Sequence, residues 1–306
     1  MKSASQPAND MELPKGIQRS RPLPDPTLGE LWDSIVLPDE MKARLLSQAV
    51  LNFTIRKKVS RTVLPLHGVI LLVGEPGTGK TSLARGLAHR TAQSFPSAGF
   101  RLLEVEPHNL TSSAMGKTQR AVSDLFAQTI TEAANLGPTI VLLDEVETLA
   151  VDRSKLSMDA NPVDVHRATD AVLVQLDALA ERFPNLLFVA TSNFPEAVDS
   201  AFTSRADLVL TIPLPAREAC ARILMDCLTG LGKTFPAIAK LAGGAGFDRV
   251  ANECVGLDGR AIRKMVANAL AARPQTAVNP ETVTVDDLLD AAKAAKASRA
   301  TMKVRK

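Results

Sequence analysis

A glycine-rich segment of this chain has the residue types and spacing that hold phosphate groups. Residues 74–81 read GEPGTGKT, directly after the apolar run 68–73 and before a helical pattern. In a strand, loop and helix of this order, backbone N–H groups and the helix N-terminus face one anion. Lys80 can reach the outer phosphates and Thr81 can ligate Mg²⁺, which an ordinary glycine-rich turn would not offer. The predicted nucleoside triphosphate and magnesium site comprises Gly74, Glu75, Pro76, Gly77, Thr78, Gly79, Lys80, Thr81 and Ser82.

Two acidic residues follow a second apolar run and complete a potential catalytic site. Residues 138–143 read PTIVLL and precede Asp144 and Glu145. Such a run predicts a buried strand of a parallel sheet, and α/β folds bind ligands at the carboxyl edge of their strands. Asp144 suits the Walker B role of holding magnesium, and Glu145 is a candidate base for the attacking water. Together with the glycine-rich phosphate-binding loop at residues 74–81 (the P-loop), the two carboxylates favour a hydrolase over a passive nucleotide binder.

Composition and charge are those of a globular protein. The 306 residues are 45% hydrophobic and 23% charged, which suffices for one large core and a smaller second domain. A formal net charge of +3 is too small to predict a nucleic-acid partner. The three cysteines lack ligand spacing and indicate a reducing compartment. Without a signal-peptide core or an apolar run of transmembrane length, we expect a cytoplasmic protein with no membrane partner.

Strand and helix patterns alternate along most of the chain. The alternation predicts an α/β fold with a five-stranded, mostly parallel sheet. From about residue 216 the patterns are helical, which indicates a small helical domain after Pro213 and Pro215. The predicted strands are 68–73, 100–106, 139–144, 186–191 and 207–212. The predicted helices are about 38–58, 216–229, 246–254, 258–272 and 285–298.

These patterns divide the chain into four parts. Five prolines among polar residues indicate that residues 1–27 form a mobile arm without a packed element. Residues 28–214 form the large P-loop domain, and residues 215–298 form a small helical lid. Residues 299–306 form a basic tail, which we interpret as a solvated helix end rather than a nucleic-acid-binding segment.

A P-loop domain followed by a helical lid resembles the AAA+ ATPases, and three polar residues match that pattern. The resemblance implies that Asn193 is the sensor-1 residue, which holds the lytic water beside Glu145. It implies that Arg205 is an arginine finger and that Arg260 is the sensor-2 residue of the lid. Taken alone, each could be a turn or surface residue, and Arg263 lies about one turn beyond Arg260.

This class implies ATP and Mg²⁺ as cofactors and a ring as the active unit. Our hypothesis places ATP between the P-loop and the lid, with the adenine near Ile35 and Val36. Thr81 and the Asp144 side would hold the metal. Arg205 would reach the γ-phosphate of the neighbouring subunit, so we expect a homo-hexamer.

Four segments point to one family within the AAA+ class. They are residues 31–36 (LWDSIV), 74–83 (GEPGTGKTSL), 143–147 (LDEVE) and 204–207 (SRAD). The single arginine of the last segment and the Leu176-Asp177 pair fit the same pattern. Over about residues 28–272 the chain resembles the HORMA-domain remodellers, the AAA+ family that includes pachytene checkpoint protein two, also called thyroid receptor interactor thirteen.

This resemblance implies that ATP hydrolysis remodels a HORMA-domain protein and disassembles its complexes. It implies a first pore loop at Ala114, Met115 and Gly116, where the family's aromatic pair is absent. Residues 152–165 are a second pore loop or a plain surface loop. The short segment before Leu28 is similar to the compact bacterial branch, which sits beside cyclic-oligonucleotide anti-phage systems. There the HORMA protein is bound to a cyclic-oligonucleotide synthase (a CD-NTase), and the ATPase damps the response.

Three other functions stay open at this stage. A nucleic-acid motor or loader would have basic pore loops, and Lys117 and Arg120 are basic but lack an aromatic base-stacking platform. A nucleotide-gated scaffold would bind ATP without hydrolysing it, against which Glu145 and Arg205 argue. A general protein unfoldase would share the same residues and differ only in its substrate.

Overall fold

One six-stranded sheet organises the large domain. The computed structural model of the protein describes residues 14, 16–106, 110, 117–150 and 162–304. The spatial order of the strands is β1-β3-β4-β5-β2-β6, and all neighbours are parallel except β1 and β3. The parallel strands therefore bring their carboxyl ends to one edge of the sheet. The strands are β1 (Ile17–Leu23), β2 (Val69–Val73), β3 (Phe100–Val105), β4 (Thr139–Leu143), β5 (Leu186–Ser192) and β6 (Leu208–Thr211).

The five predicted strands are confirmed, but the sheet has a sixth strand that we did not predict. Ile17–Leu23 pairs antiparallel with β3, and Ile17 and Leu23 are buried. The expectation that residues 1–27 contain no packed element is therefore wrong for β1. Proline is disfavoured in central strands but tolerated in edge strands, and β1, which contains Pro22, lies at an edge of the sheet.

Helices cover both faces of the sheet and create two apolar cores. Successive residues of a strand point to opposite faces, so Leu71 of β2 belongs to one core and Leu72 to the other. Helices α1, α2 and α3 cover one face, while α6 and the segment from α4 to α5 cover the other. A π-helical turn, Leu125–Ile130, joins α4 to α5. The helices are α1 (Pro26–Ser34), α2 (Asp39–Ile55), α3 (Lys80–Gln93), α4 (Lys117–Asp124), α5 (Thr131–Leu136), α6 (Pro162–Arg182) and α7 (Ser200–Ser204).

The remaining helices surround a third apolar core and form the small domain. Val36, from the loop after α1, packs against this core and so touches both domains. The last helix continues to Val304, and the predicted boundary at residue 298 was too early because no glycine or proline interrupts the pattern. None of the described helices is long and apolar enough to span a bilayer. These helices are α8 (Arg217–Gly232), α9 (Pro236–Ala239), α10 (Phe247–Glu253), α11 (Gly259–Ala271), α12 (Pro274–Val278) and α13 (Val285–Val304).

Candidate nucleotide-binding site

The glycine-rich loop connects β2 to the N-terminus of α3 at the carboxyl edge of the sheet. Gly77 and Gly79 have φ values of +84° and +92°, which only glycine adopts readily. Neither position has space for a side chain, since a Cβ would collide with the Asp258 carboxylate at Gly77 and with Ile35 at Gly79. The two glycines therefore let the loop pass close to Asp258 and Ile35 on its way to α3.

Lys80 begins α3 and is held against the loop. Its side chain is buried, and Nζ donates to the carbonyl oxygens of Gly74 and Glu75 at 2.8 and 3.0 Å. Nζ also donates to Asn193 Oδ1 at 2.8 Å. Burial lowers the pKa of the Lys80 ammonium, while the carboxylates of Glu147, Asp144 and Glu145 raise it. The charge thus lies in a pocket with hydrogen-bond acceptors on several sides.

Asp144 follows β4 and receives two hydroxyl hydrogen bonds on one oxygen. Thr81 Oγ1 donates to Asp144 Oδ1 at 2.8 Å, and Thr191 Oγ1 donates to the same atom at 2.5 Å. The pairing places Thr81 and Asp144 together, as the sequence predicted. A hydroxyl and a carboxylate are the hard oxygen ligands that Mg²⁺ takes alongside water and phosphate oxygens, so the donor set fits this ion.

Thr191 is a site residue that the sequence analysis missed. It is 1% exposed and lies in β5, two residues before Asn193. Its hydroxyl also accepts the Glu145 backbone N–H at 3.1 Å, and so connects both acidic residues to the neighbouring strand. A hydroxyl residue near the carboxyl end of an otherwise apolar strand was the signal that could have identified it.

Glu145 adopts a left-handed backbone conformation, with φ 52° and ψ 53°. Among the described residues other than glycine, no other has a positive φ. This conformation is uncommon outside glycine, and such strain persists where the surrounding contacts enforce it. The side chain is held as well, because Asn193 Nδ2 donates to Glu145 Oε1 at 3.0 Å. The Asn193 amide thus bridges Lys80 and Glu145, while its role beside the lytic water remains a prediction.

Glu147 is a second residue that the analysis did not assign. Its Oε1 accepts the backbone N–H of Asn193 at 3.0 Å. Its Oε2 is buried and has no hydrogen-bond partner within the described part of the chain. The contact fixes the turn after β5, which carries the Asn193 amide toward the cavity.

Lys80, Asp144 and Asn193 line one cavity of about 170 Å³ together with Thr81, Glu145 and Thr191, and Arg260 of α11 closes it from the small domain. A more open cavity of about 420 Å³ adjoins it and is lined by Ile35, Arg260 and Arg263. Val36 lines a smaller neighbouring cavity of about 40 Å³, together with Ile35 and Arg263. Arg263 donates to the Ser34 carbonyl oxygen at 3.1 Å. The structure therefore separates the two arginines, with Arg260 alone facing Lys80 and Asp144.

Arg205 does not reach this cavity. It follows α7, and its Nε and Nη2 donate to the two carboxylate oxygens of Asp177 at 2.8 and 2.6 Å. Nη1 donates to the Ala201 carbonyl oxygen at 2.7 Å. The hydrogen bonds between Arg205 and Asp177 raise the pKa of the guanidinium and lower that of the carboxyl. The side chain, which is 23% exposed, is thus fixed away from the cavity that Lys80 lines.

The predicted pore loop at Ala114, Met115 and Gly116 lies outside the described residues. Of the second candidate, 152–165, the structure describes only the part from Pro162 onward, which begins α6. Both remain predictions.

Comparison with known proteins identifies the class of this site. Residues 70–214 match the family model for the ATPase family associated with various cellular activities (AAA). The match spans the glycine-rich loop, both acidic residues, Asn193 and Arg205. The fold and the site are those of an AAA ATPase.

Two related proteins show to which family of AAA ATPases the chain belongs. The chain is 71% identical over 293 residues to CD-NTase-associated protein 6 of Pseudomonas aeruginosa, which covers 96% of each chain. It is 36% identical over 217 residues to the Pachytene checkpoint protein 2 homolog of Xenopus tropicalis, covering 69% of this chain and 50% of that one. The chain therefore spans about half the length of that eukaryotic relative. This chain belongs to the AAA ATPase family of CD-NTase-associated protein 6 and the Pachytene checkpoint protein 2 homologs.

A solved structure shows the same fold in a bacterial protein. It is described as the E. coli MS115-1 HORMA:CdnC:Trip13 complex and matches with a TM-score of 0.72 at 23% identity. The match covers 90% of this chain and 94% of that one.

Proposed function

We propose that this protein is a ring-forming ATPase that hydrolyses ATP to remodel a HORMA-domain protein. The observation that carries the hydrolytic part is that Lys80, Asp144 and Glu145 line one cavity, where Asn193 bridges Lys80 to Glu145 and Thr191 bridges Asp144 to Glu145. This arrangement supports roles for Lys80 as the cation for the phosphates, Asp144 as the metal-binding carboxylate and Glu145 as the base.

In this proposal, ATP binds between the glycine-rich loop and the small domain. The loop N–H groups and Lys80 hold the phosphates, and the adenine enters the cavities lined by Ile35 and Val36. Magnesium, held by Thr81 and the Asp144 side, neutralises charge on the phosphates. Asn193 orients the Glu145 carboxylate, which accepts a proton from the attacking water.

The position of Arg205 supports a ring, most simply a hexamer. A guanidinium that is fixed away from its own phosphate cavity is available to the cavity of a neighbouring subunit. Asp177 pre-orients it, so little side-chain freedom would be lost when the ring closes. Arginine fingers supplied in trans contribute about 10³–10⁵ in rate.

We infer the substrate from the family. CD-NTase-associated protein 6 carries in its name an association with a CD-NTase, and the bacterial Trip13 structure holds HORMA and CdnC partners. We propose that this chain acts on a HORMA-domain protein complexed with a cyclic-oligonucleotide synthase. Disassembly of that complex would damp an anti-phage response.

A substrate trap tests the proposal. Glu145→Gln should bind ATP without hydrolysing it and so retain its substrate. The tagged variant is incubated with ATP in lysate of its own host, and the retained proteins are identified by mass spectrometry. Lys80→Ala, which cannot hold the phosphates, is the control. We expect the trap alone to retain a HORMA-domain protein.

Other outcomes of this experiment would redirect the proposal. Retention of nucleic-acid factors or of protease subunits would keep the ATPase and discard the HORMA substrate. Absence of phosphate release by the wild-type protein, measured separately at saturating ATP and Mg²⁺, would discard the ATPase itself.

A further inference from the structure

Arg299 of α13 reaches out of the small domain to the glycine-rich loop. Its Nη1 donates to Asp258 Oδ2 at 2.6 Å, and its Nη2 forms an ion pair with the Glu75 carboxylate. The Arg299 side chain is only 19% exposed, and that of Asp258 is 14% exposed. One guanidinium thus lies between a carboxylate of the large domain and a carboxylate of the small domain. The sequence analysis had placed Arg299 in a solvated tail.

Asp258 is the residue through which α11 meets the loop. Its Oδ1 accepts the Ala261 N–H at 2.9 Å and so caps the helix that carries Arg260. Its carboxylate lies where a side chain of Gly77 would be. The Arg260 N–H also donates to the Gly77 carbonyl oxygen at 3.3 Å. The contact between loop and helix is therefore tight, and Arg299 compensates the negative charge at its centre.

From this arrangement we propose that Arg299 is a positioning residue for nucleotide. It holds the N-terminus of α11 against the glycine-rich loop and offsets the charge of Glu75 and Asp258 beside the triphosphate. The proposal rests on the ATP site proposed above. Arg299 touches neither the metal-binding nor the base residue, so it acts on nucleotide affinity rather than on the chemical step.

The electrostatic argument gives the expected effect. Without Arg299, two carboxylates remain next to the loop that must accept three or more negative charges. The contacts are partly shielded from water, and the guanidinium makes charge-assisted hydrogen bonds to both. Arg299→Gln should weaken the binding of a fluorescent ATP analogue by about 5- to 20-fold. Turnover at saturating ATP should fall by less than about threefold, so that KM rises more than kcat falls.

Arg273→Gln is the matched control. Arg273 forms an ion pair at 2.5 Å with Asp287, which lies on α13, the helix that also carries Arg299. Unlike the contact of Arg299 with Glu75, this ion pair lies entirely within the small domain. This variant should bind the analogue within about twofold of the wild type. Equal losses in both variants would mean that Arg299 only stabilises the small domain, and would overturn the proposal.

Charge removal at Glu75 gives a test that a merely structural role would not pass. If repulsion is the cause, Glu75→Gln combined with Arg299→Gln should bind the analogue more tightly than Arg299→Gln alone. The affinity of Arg299→Lys for the analogue should lie between those of the wild type and Arg299→Gln, because lysine keeps the charge and loses the two-pronged geometry. The proposal is refuted if Arg299→Gln binds the analogue with wild-type affinity. It is also refuted if the double variant binds the analogue more weakly than either single variant. Absence of binding by the wild-type protein would instead refute the ATP site.

Discussion

Replacing Thr191 by valine removes one hydroxyl and keeps nearly the same volume. That hydroxyl donates to Asp144 Oδ1 at 2.5 Å and accepts the Glu145 N–H at 3.1 Å. Thr191 is 1% exposed, and a valine in its place offers neither group a hydrogen-bond partner. The change therefore removes one contact from each acidic residue at once, while Thr81 still holds Asp144 and Asn193 still holds Glu145.

The size of the effect follows from these two hydrogen bonds. Losing the hydroxyl acceptor of the part-buried Glu145 N–H costs about 0.5–1.5 kcal/mol, and losing a hydroxyl donor to a carboxylate costs about 1.5–3 kcal/mol. Part of this free energy now holds Glu145 in its left-handed conformation. We expect a lower free energy of unfolding and, because the metal-binding carboxylate keeps only one of its two hydroxyl hydrogen bonds, a loss of about 10- to 100-fold in activity.

Steady-state phosphate release at saturating ATP, titrated with Mg²⁺, measures this effect. Thr191→Val should lower kcat and raise the Mg²⁺ concentration that gives half-maximal activity. Thr191→Ser keeps the hydroxyl and should recover activity to within about threefold of the wild type.

Thr139→Val is the control for a general loss of stability. Thr139 is also fully buried, lies at the end of β4 that is remote from Asp144, and its hydroxyl donates to the Gly137 carbonyl oxygen at 3.1 Å. It should lose about 1 kcal/mol of unfolding free energy with unchanged turnover. If Thr191→Val hydrolyses ATP at the wild-type rate with the same Mg²⁺ dependence, the positioning argument is refuted.

Three further predictions concern the remaining site residues. Arg205→Ala should lower kcat by at least about 10³-fold with ATP affinity retained, and unchanged phosphate release would remove the need for a neighbouring subunit. Gly79→Ala should abolish binding of a fluorescent nucleotide and lower the thermal unfolding midpoint, because it adds about 1–2 kcal/mol of backbone strain and a collision with Ile35; binding near the wild-type level would contradict the φ assignment. Arg260→Ala should weaken ATP more than ADP, whereas Arg263→Ala should weaken both equally, and isothermal titration with each nucleotide distinguishes the two.

The sequence predicted the parts of this fold that depend on local pattern. The run before Gly74 and the run before Asp144 are continuous and apolar because their strands are covered on both faces, so periodicity was sufficient. The five prolines among residues 1–27 argue against a packed element, and only the position of β1 at the sheet edge makes Pro22 compatible with a strand.

The site likewise has residues that the sequence predicts and contacts that it does not. Lys80, Thr81, Asp144 and Glu145 lie within motifs whose spacing is fixed by one strand and one loop. Contacts between residues far apart in the chain could not be predicted from the sequence, because no local pattern encodes them. Arg299 meets Glu75 across 224 positions in sequence, and nothing in the residues around either one indicates the other.

The antiparallel direction of β1 has a practical consequence for how this protein is labelled. Ile17 lies beside Val105 at the carboxyl end of β3, and the Glu106 N–H donates to the Gly16 carbonyl oxygen at 3.1 Å. The chain therefore enters the sheet at the edge that carries the phosphate cavity. An affinity tag or fluorescent protein joined ahead of β1 would be tethered there, beside the segment that leads to residues 114–116. The exposed turn at 96–99, at the opposite edge, is the better insertion point for a label.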